Sequence, residues 1–422
     1  MIRILLALCL SSQAVLTAVA DDWPQWRGTN RDGISGERGL LQEWSEDGPP
    51  IRWTARDIGS GYSTPSIADG RVFVQTNDEE QEFALALDEK TGEELWLTPI
   101  GTVGRNRGPQ YPGTRSTPTV DGDRIYCLAS GGELVCLEAA TGNRIWDVSF
   151  KEDFEGVDGA WAYSESVLVD GNAVICTPGG STASLAALNK MNGEMIWTSQ
   201  ASDAGSAEYA SVMVVDALPT KIYVQFLRKG LVGVAADSGE FLWLYGNTID
   251  PGANILTPIV EGKRIYTAGS RTGGSVIELG DDAKATPEEL YFDRALGASI
   301  GGAVLIDDYL YGTSRSAMFC AEFSTGEIKW TERALGAASI CYADGRLYVR
   351  SHDGAEVALV EPSPEGYHEM GRFEQTERSE TRAWPHPVVA NGALYIRDEG
   401  VLHCYDVRLR TATRAASPRA GD

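Results

Sequence analysis

The sequence predicts an all-β protein, an eight-bladed β-propeller whose blades are four-stranded antiparallel sheets. Three observations predict it: a unit of four short strands recurs along most of the chain, tight turns separate the strands, and the pattern never changes to a helical period. The unit is clearest from Arg115 to Trp146, where Asp121-Gly122, Gly131-Gly132 and Thr141-Gly142 divide segments rich in β-branched and aromatic residues. One such sheet cannot bury both of its faces, so it requires neighbours of its own kind.

The spacing of the units supports a closed ring. Large aromatic residues end successive units about every 40 to 50 residues, which is the period of propeller blades. The eighth unit lacks a fourth strand and a spare strand lies around Trp53, so joining the two ends closes the ring and removes both open edges. Tyr291 and Phe373 replace tryptophan in the fifth and seventh units. The tryptophans predicted to pack between blades are Trp53, Trp96, Trp146, Trp197, Trp243 and Trp330.

Four segments are predicted along the chain. Residues 1–20 read as an export signal, with Arg3, an apolar core and an A-x-A site before Asp21. Residues 21–49 form a polar lead-in whose tryptophans favour packing on the body over an irregular arm, residues 50–408 form the propeller, and residues 409–422 form a disordered basic tail. We therefore expect an exported protein, periplasmic or extracellular, that does not span a membrane.

Charge and cysteine content narrow the functional classes. The formal net charge of −24 disfavours a nucleic-acid partner, because such a surface repels phosphates. No H-x-x-x-H or C-x-x-C pattern occurs, and neither a G-x-S-x-G elbow nor a Gly-rich phosphate loop stands out, so neither a metal site nor a catalytic residue is predicted. If Gly131-Gly132 is a two-residue turn, Cys127 lies opposite Cys136, which makes this pair a disulfide candidate or two buried thiols.

The closing turns carry a family resemblance. ALDEKTGEELW (Ala86 to Trp96), CLEAATGNRIW (Cys136 to Trp146) and CAEFSTGEIKW (Cys320 to Trp330) exemplify five copies that resemble the tryptophan-docking repeat, A-x-D-x-x-T-G-x-x-x-W, of pyrroloquinoline-quinone-type eight-bladed propellers. The resemblance covers roughly residues 50–408. It implies either a quinone-dependent dehydrogenase with calcium, or a non-enzymatic member such as the scaffold lipoprotein of the outer-membrane β-barrel assembly machine. The dehydrogenases carry adjacent cysteines over the quinone, and no two cysteines are adjacent here. The resemblance is therefore nearest to the non-enzymatic members, with no cofactor expected and quinone plus calcium as the alternative.

The candidate binding residues come from blade topology. Short Asp-Gly and Thr-Gly turns lie on one face, the turn face, whereas the links between blades and the turns between second and third strands lie on the other, the loop face. Basic and aromatic residues gather in the loop-face segments, with Arg350 and Arg382 among them. The candidate binding residues there are Arg105, Arg107, Arg115, Trp161, Tyr163, Arg271, Arg315, His352, Trp384 and His386.

These features predict a binding or assembly scaffold of the cell envelope whose ligand-binding face lies at the mouth of the central channel. The expected partner is an envelope protein or an anionic or carbohydrate ligand. A quinone-dependent dehydrogenase is the first alternative, and a carbohydrate-binding or carbohydrate-active propeller is the second. Local pairing of the arginines with carboxylates is the structural alternative for the basic residues.

Overall fold

The computed structural model describes residues 21–106, 111, 113–298 and 300–409. Eight antiparallel sheets make up this part of the chain, which confirms the predicted all-β class and the eight-bladed propeller. The predicted signal and nearly all of the predicted tail lie outside the described residues. None of the helices within the described ranges has the length and apolar character needed to cross a membrane.

Each blade is a meander of consecutive strands. Two strands precede the first complete blade, β1 (Ile34–Ser35) and β2 (Ile51–Ala55). Blade one comprises β3 (Ser66–Ala68), β4 (Arg71–Asn77), β5 (Gln81–Asp88) and β6 (Glu94–Thr102), and blade two comprises β7 (Thr119–Asp121), β8 (Arg124–Leu128), β9 (Glu133–Glu138) and β10 (Arg144–Ser149). Blade three comprises β11 (Leu168–Asp170), β12 (Ala173–Cys176), β13 (Leu185–Asn189) and β14 (Met195–Ser199), and blade four comprises β15 (Met213–Val215), β16 (Ile222–Leu227), β17 (Gly230–Ala235) and β18 (Phe241–Tyr245).

The second half of the ring repeats this order. Blade five comprises β19 (Ile259–Glu261), β20 (Arg264–Gly269), β21 (Gly273–Glu278) and β22 (Glu288–Asp293), and blade six comprises β23 (Ala303–Ile306), β24 (Tyr309–Thr313), β25 (Met318–Glu322) and β26 (Ile328–Glu332). Blade seven comprises β27 (Ala338–Ala343), β28 (Arg346–Ser351), β29 (Glu356–Glu361) and β30 (His368–Glu374), and blade eight contains β31 (Val388–Ala390), β32 (Ala393–Asp398) and β33 (Val401–Asp406). Helical segments are short: α1 (Phe150–Asp153) and 3₁₀ turns at Ser202–Ala204 and Arg294–Leu296.

The ring closes as the sequence predicts. Strand β2 pairs antiparallel with β33, with Trp53 opposite Cys404, and so supplies the fourth strand of the last blade. Strand β1 adds to the inner edge of blade seven, where Ile34 lies beside Tyr342 in a parallel pair. Both ends of the described chain are therefore held within sheets.

A repeated contact holds neighbouring blades together at their periphery. Trp146 donates its Nε1 hydrogen to the carbonyl of Lys190 at 3.0 Å, and its ring covers Gly193. Gly193 has φ of 76°, and a Cβ there would lie 2.8 Å from the Trp146 ring, so only glycine fits. The same indole-on-glycine contact occurs in the pairs Trp53–Gly92, Trp96–Gly142 and Trp197–Gly239. We refer to these contacts as the docking belt.

The fifth and seventh units, which lack the tryptophan, keep the docking-belt contact with other aromatic side chains. Tyr291 covers Gly326 and donates its hydroxyl hydrogen to the carbonyl of Phe323 at 2.9 Å. Phe373 covers Gly48, which belongs to the lead-in and precedes β2. The lead-in thus provides the closing turn that the eighth unit lacks.

The lead-in also fills part of the central channel. Residues 21–36, the N-terminal plug, contain Trp23, Arg27 and Arg31, each no more than 3% exposed. The plug contacts the innermost strands, or the residues just before them, through the pairs Trp23–Ile67, Pro24–Val120, Arg31–Val167, Trp26–Thr257, Arg27–Ala303 and Gly33–Tyr342. The lead-in is therefore packed on the body of the propeller and closes the channel from the turn face.

The disulfide candidate rests on a register that is wrong. The hairpin of β8 and β9 closes through a longer turn, with the amide of Ala129 donating to the carbonyl of Glu133 at 2.8 Å. Cys127 consequently lies opposite Val135, and Cys136 lies opposite Tyr126. Because adjacent positions face opposite sides of a sheet, Cys127 packs toward blade one and Cys136 toward blade three. Both thiols are free and buried.

Candidate functional site

The walls of the channel mouth come from equivalent positions of the eight blades. In each blade, the first strand ends at the last residue that pairs with the second strand. The residue four positions before this end carries a hydroxyl in most blades. We call this set the channel ring, and its members are Thr64, Thr117, Ser166, Ser211, Thr257, Gly302, Ser339 and His386. Two residues earlier lies the upper ring of Tyr62, Arg115, Ser164, Tyr209, Ile255, Ile300, Ala337 and Trp384.

Hydrogen bonds run around the channel ring from blade to blade. The amide of Thr117 donates to Oγ of Ser166 at 2.8 Å, and the amide of Ser166 donates to Oγ of Ser211 at 3.0 Å. The amide of Ser211 donates to Oγ1 of Thr257 at 3.3 Å. Since each hydroxyl accepts a bond through its oxygen, its own hydrogen stays available as a donor toward the channel. The ring therefore joins the blades and presents hydrogen-bond donors.

Most members of both rings line a cavity of about 260 Å³ that opens on the loop face. Trp26 and Arg27 of the plug also line it and form its floor. Among the described residues, three arginines line the cavity, Arg27, Arg115 and Arg382, whereas neither aspartate nor glutamate does. A cavity with this lining, in a protein of net charge −24, is suited to an anionic group.

Arg27 provides a buried charge at the floor. Its Nε and Nη2 donate to the carbonyls of Arg31, Asp32 and Ala303, and its Nη1 has no acceptor among the described residues. Burial lowers the pKa of Arg27 to about 10, so the guanidinium stays charged at neutral pH. Neither Arg27 nor Arg115 has a carboxylate within 4 Å in the part of the chain that the structure describes.

Arg115 is held in place by main-chain carbonyls. It donates to the carbonyl oxygens of Gly113 at 3.2 Å and Trp161 at 3.0 Å, and also to that of Tyr111. Its guanidinium lies 5.8 Å from the centre of the Tyr62 ring, within cation–π range. Burial lowers the pKa of Arg115. The charge is thus fixed in direction before any ligand arrives.

Aromatic side chains form the remaining walls in contacting pairs. Ring centres of Tyr62 and Trp384 are 4.8 Å apart, and those of Trp161 and Tyr209 are 5.7 Å apart. Trp384 Nε1 and Ser164 Oγ are buried without a hydrogen-bond partner among the described residues. These two groups are therefore available to a ligand, since buried polar groups are normally paired.

His386 belongs to the wall as a neutral donor. Burial, and then the charge of Arg27, lower its pKa to about 3. Its Nε2 lies 2.8 Å from the carbonyl oxygen of Ile300, so this nitrogen carries the hydrogen. An imidazole with so low a pKa binds a proton weakly at neutral pH, so His386 is poorly suited to act as a general base.

The structure brings together only some of the sequence-predicted residues. Arg115, Trp161, Trp384 and His386 line the cavity, as does Arg382. The other candidates lie elsewhere: Arg105 and Arg315 are exposed outside the cavity, Arg271 pairs with Asp250 at 3.3 Å, Tyr163 is buried against Phe150, His352 is bonded to Ser339, and Arg107 lies outside the described residues. Their proposed roles in binding stay predictions.

Sequence reasoning missed the floor and most of the ring. Trp26 and Arg27 were not candidates, because the lead-in has no strand pattern that places it at the axis. Tyr62, Tyr209 and the hydroxyls were also missed. A signal for them exists: YSTP, RSTP and LTP recur immediately before first strands, at Tyr62, Arg115 and Leu256.

The comparisons agree with this architecture. A family model described as outer membrane protein assembly factor BamB matches residues 33–97 and 81–332, more than half of the chain. The chain belongs to the BamB family. One BamB-family relative, the outer membrane protein assembly factor BamB of Shewanella oneidensis, is 24% identical over 249 residues, which cover 55% of this chain and 60% of that protein. The chain thus spans less than two thirds of this curated relative.

Solved structures with the same fold include both branches of the resemblance. BamB of Moraxella catarrhalis superposes with a TM-score of 0.56 at 16% identity, covering 87% of this chain and 100% of that one. The quinohemoprotein alcohol dehydrogenase of Comamonas testosteroni superposes with a TM-score of 0.64 at 14% identity, covering 92% of this chain and 81% of that one. At these identities the likeness shows the fold alone.

The residues present do not fit a quinone held by calcium. Calcium takes about six to eight oxygen ligands, carboxylates prominent among them. Within the part of the chain that the structure describes, no carboxylate lines the cavity, and no group of three or more His, Cys, Asp or Glu is arranged to hold a metal ion. The buried carboxylate of Glu165 is already bonded to the hydroxyl and amide of Thr177, each at 2.8 Å.

Proposed function

We propose that this protein is an exported binding scaffold of the cell envelope, which takes up an anionic group of a partner protein in the channel-mouth cavity. The observation that carries the proposal is the composition of that cavity: its arginines and hydroxyl donors face an opening on the loop face, and none of the described residues that line it is a carboxylate. The rest of the protein is strongly acidic, so the cavity is an exception to the surrounding charge.

Family membership supports the scaffold over an enzyme. The curated relative is named as an assembly factor of outer membrane proteins, and a factor of that kind works by contacting other envelope proteins. A rigid frame with long loops on one face suits this task, since binding residues are commonly carried on such loops. The predicted export signal is consistent with a location in the envelope.

The alternatives have less support in the site. The dehydrogenase neighbours share the fold, but the cavity lacks carboxylates for calcium. A carbohydrate would use the aromatic walls, yet a neutral sugar gives the arginines no charge to meet. An anionic partner group uses both features.

Site-directed photo-crosslinking tests the scaffold. A photoreactive residue replaces Arg382, which is 56% exposed at the cavity rim, and in a control protein it replaces Lys284, which is 62% exposed in the turn between β21 and β22. We expect a discrete protein adduct from position 382 only, and its loss when Arg115→Glu is added. Arg315→Glu is the matched control, because Arg315 is exposed on the loop face and does not line the cavity.

Two outcomes would contradict the proposal. One is equal adducts from both positions, or none from the rim. The other is stoichiometric, calcium-dependent binding of pyrroloquinoline quinone with dye reduction, which would favour the dehydrogenase.

A further inference from the structure

The N-terminal plug makes the cavity blind, and this limits what can occupy it. Trp26 and Arg27 form the floor, and Trp26 is fixed by a hydrogen bond from Nε1 to Oγ1 of Thr257 at 3.0 Å. An extended chain entering from the loop face cannot continue through the channel, so a segment that enters must either end there or turn back, and a turn needs more space than a single residue. A cavity of about 260 Å³ is at the low end for small-molecule sites, which hold roughly 300–1,000 Å³. The occupant is therefore about one residue in size.

The deepest charged group indicates what that end carries. Arg27 is only 3% exposed, and its Nη1 has no acceptor among the described residues. A planar guanidinium with free hydrogens matches a carboxylate, and the bond is strong where water is excluded. Charge at the floor favours an occupant that places its carboxylate first.

The walls above the floor indicate the rest of the occupant. Trp26 contacts His386 with ring centres 4.7 Å apart, and Tyr111 contacts Trp384 at the same separation. Aromatic walls favour an aromatic occupant, because its ring would gain contact area and quadrupole interactions. A peptide end would leave the cavity past Arg382 at the rim.

Resting on the proposed function, we infer that the cavity captures an aromatic residue that carries a free carboxylate, its acid on Arg27 and its ring against the aromatic walls. The C-terminal residue of an envelope protein and a free aromatic acid share this chemistry. No covalent step is involved. Binding of this kind would recognise the end of a chain independently of the sequence further upstream, because only the last residue fits below the rim.

Calorimetry on the mature protein tests the inference. Four probes are compared: a five-residue peptide ending in phenylalanine with a free carboxylate, the same peptide as its C-terminal amide, the same peptide ending in alanine, and 3-phenylpropanoate. We expect the amide to bind about 10- to 100-fold more weakly than the acid, since a bond to a charged group contributes about 1.5–3 kcal/mol. The alanine peptide should also bind more weakly.

Variants separate the charge from the fold. Arg27→Lys keeps the charge but loses the Nη1 hydrogens that the guanidinium directs into the cavity, so we expect the difference between acid and amide to shrink several-fold. Arg315→Gln, an exposed loop-face arginine outside the cavity, should bind all probes as the parent does. Circular dichroism of each variant checks that the propeller is intact.

The comparison of the four probes decides whether the site binds a chain end or a free aromatic acid, and whether the inference holds. Tighter binding of the peptide than of 3-phenylpropanoate assigns the site to a chain end, and equal binding assigns it to a free aromatic acid. Equal affinity for acid and amide, or no binding of any probe, overturns the inference. If this happens while the adduct at position 382 persists, the scaffold stands and only the identity of the captured group is wrong.

Discussion

The docking belt and the channel mouth are built from the same repeated unit, but side chains vary more from blade to blade at the channel mouth, where Tyr62, Arg115 and Trp384 occupy equivalent positions. At the periphery an aromatic ring covers a glycine of positive φ in blade after blade. At the axis, the position that is Thr64 in blade one is Gly302 in blade six and His386 in blade eight. Every blade must pack against its neighbour in the same geometry, so the same residues suit every interface. A ligand in the channel presents a different part of itself to each blade, so no single residue suits all eight positions. The fold therefore repeats, and the site does not.

The belt should dominate stability. Trp146→Ala removes a ring packed on Gly193 and a hydrogen bond to Lys190, so we expect it to lower the free energy of unfolding by about 3–5 kcal/mol in chemical denaturation. Trp161→Ala, at the half-buried cavity wall, should cost no more than about 1 kcal/mol. A larger loss at Trp161 than at Trp146 would reverse the comparison.

A glycine pair isolates the steric part of the belt. Gly193→Ala combines φ of 76° with a Cβ 2.8 Å from the Trp146 ring, and we expect a loss of about 2–4 kcal/mol. Gly122→Ala has φ of 59° but meets no atom within 4 Å, so only about 1–2 kcal/mol is expected. Equal losses in thermal or chemical unfolding would show that the indole contact contributes nothing to the requirement for glycine.

Buried acids behind the channel mouth should make stability depend on pH. Burial raises the pKa of Glu165 to about 8, so the folded protein holds a proton that the unfolded chain releases near pH 4.5. Stability is thus fully present below pH 4.5 and is lost as pH rises toward 8, by up to about 1.4 kcal/mol per pH unit. Burial raises the pKa of Glu82 and of Glu208 to about 7, in the same direction.

Glu165→Gln checks the assignment of this effect. The variant should gain stability relative to the parent between pH 5 and pH 8, when unfolding is measured at each pH. An exposed acid with a bonded partner, Glu377, serves as the control: Glu377→Gln should leave the slope over this range unchanged. Parallel curves for parent and Glu165→Gln would show that Glu165 does not carry the proton.

The smallest effect is expected from the cysteines. Cys127 and Cys136 face different blade interfaces as free thiols, so adding a reductant should not shift the melting temperature. Intact mass after alkylation under denaturing conditions should show both residues modified without prior reduction. A mass two units lower, with both residues protected, would restore the disulfide.

How much could be read from the sequence differs in the same way between the two regions. The belt could be predicted because Trp96 and Trp146 recur with their Thr-Gly turns, and even Tyr291 and Phe373 occupy the expected places. At the channel mouth, topology identified the loop face but not the distance of a residue from the axis. Arg315 and Arg115 share that face, yet only Arg115 lines the cavity. The predicted hairpin register at Cys127 was wrong because a single extra turn residue exchanges the two faces of a strand.

The plug could not be predicted for a different reason. Its residues make contacts across the whole length of the chain and follow no strand or helix period, so local pattern carries no information about them. Arg31 reaches Ser166 at 2.7 Å, and Arg27 reaches the carbonyl of Ala303. Such long-range contacts between irregular segments appear only when the tertiary structure is known.

The plug also has a consequence for the order in which the protein folds. Asp22 meets Asn391 across 369 positions of sequence, and the amides of Asn391 and Gly392 both bond to Glu37. Contacts of such separation form late, because the entropy of closing the loop opposes them. The N-terminal residues of the domain leave the ribosome first, yet they are thus among the last to become ordered. A chain that ended after β30 would lack blade eight, so Glu37 would lose its bonds to Asn391 and Gly392 and β2 would lose its pairing with β33.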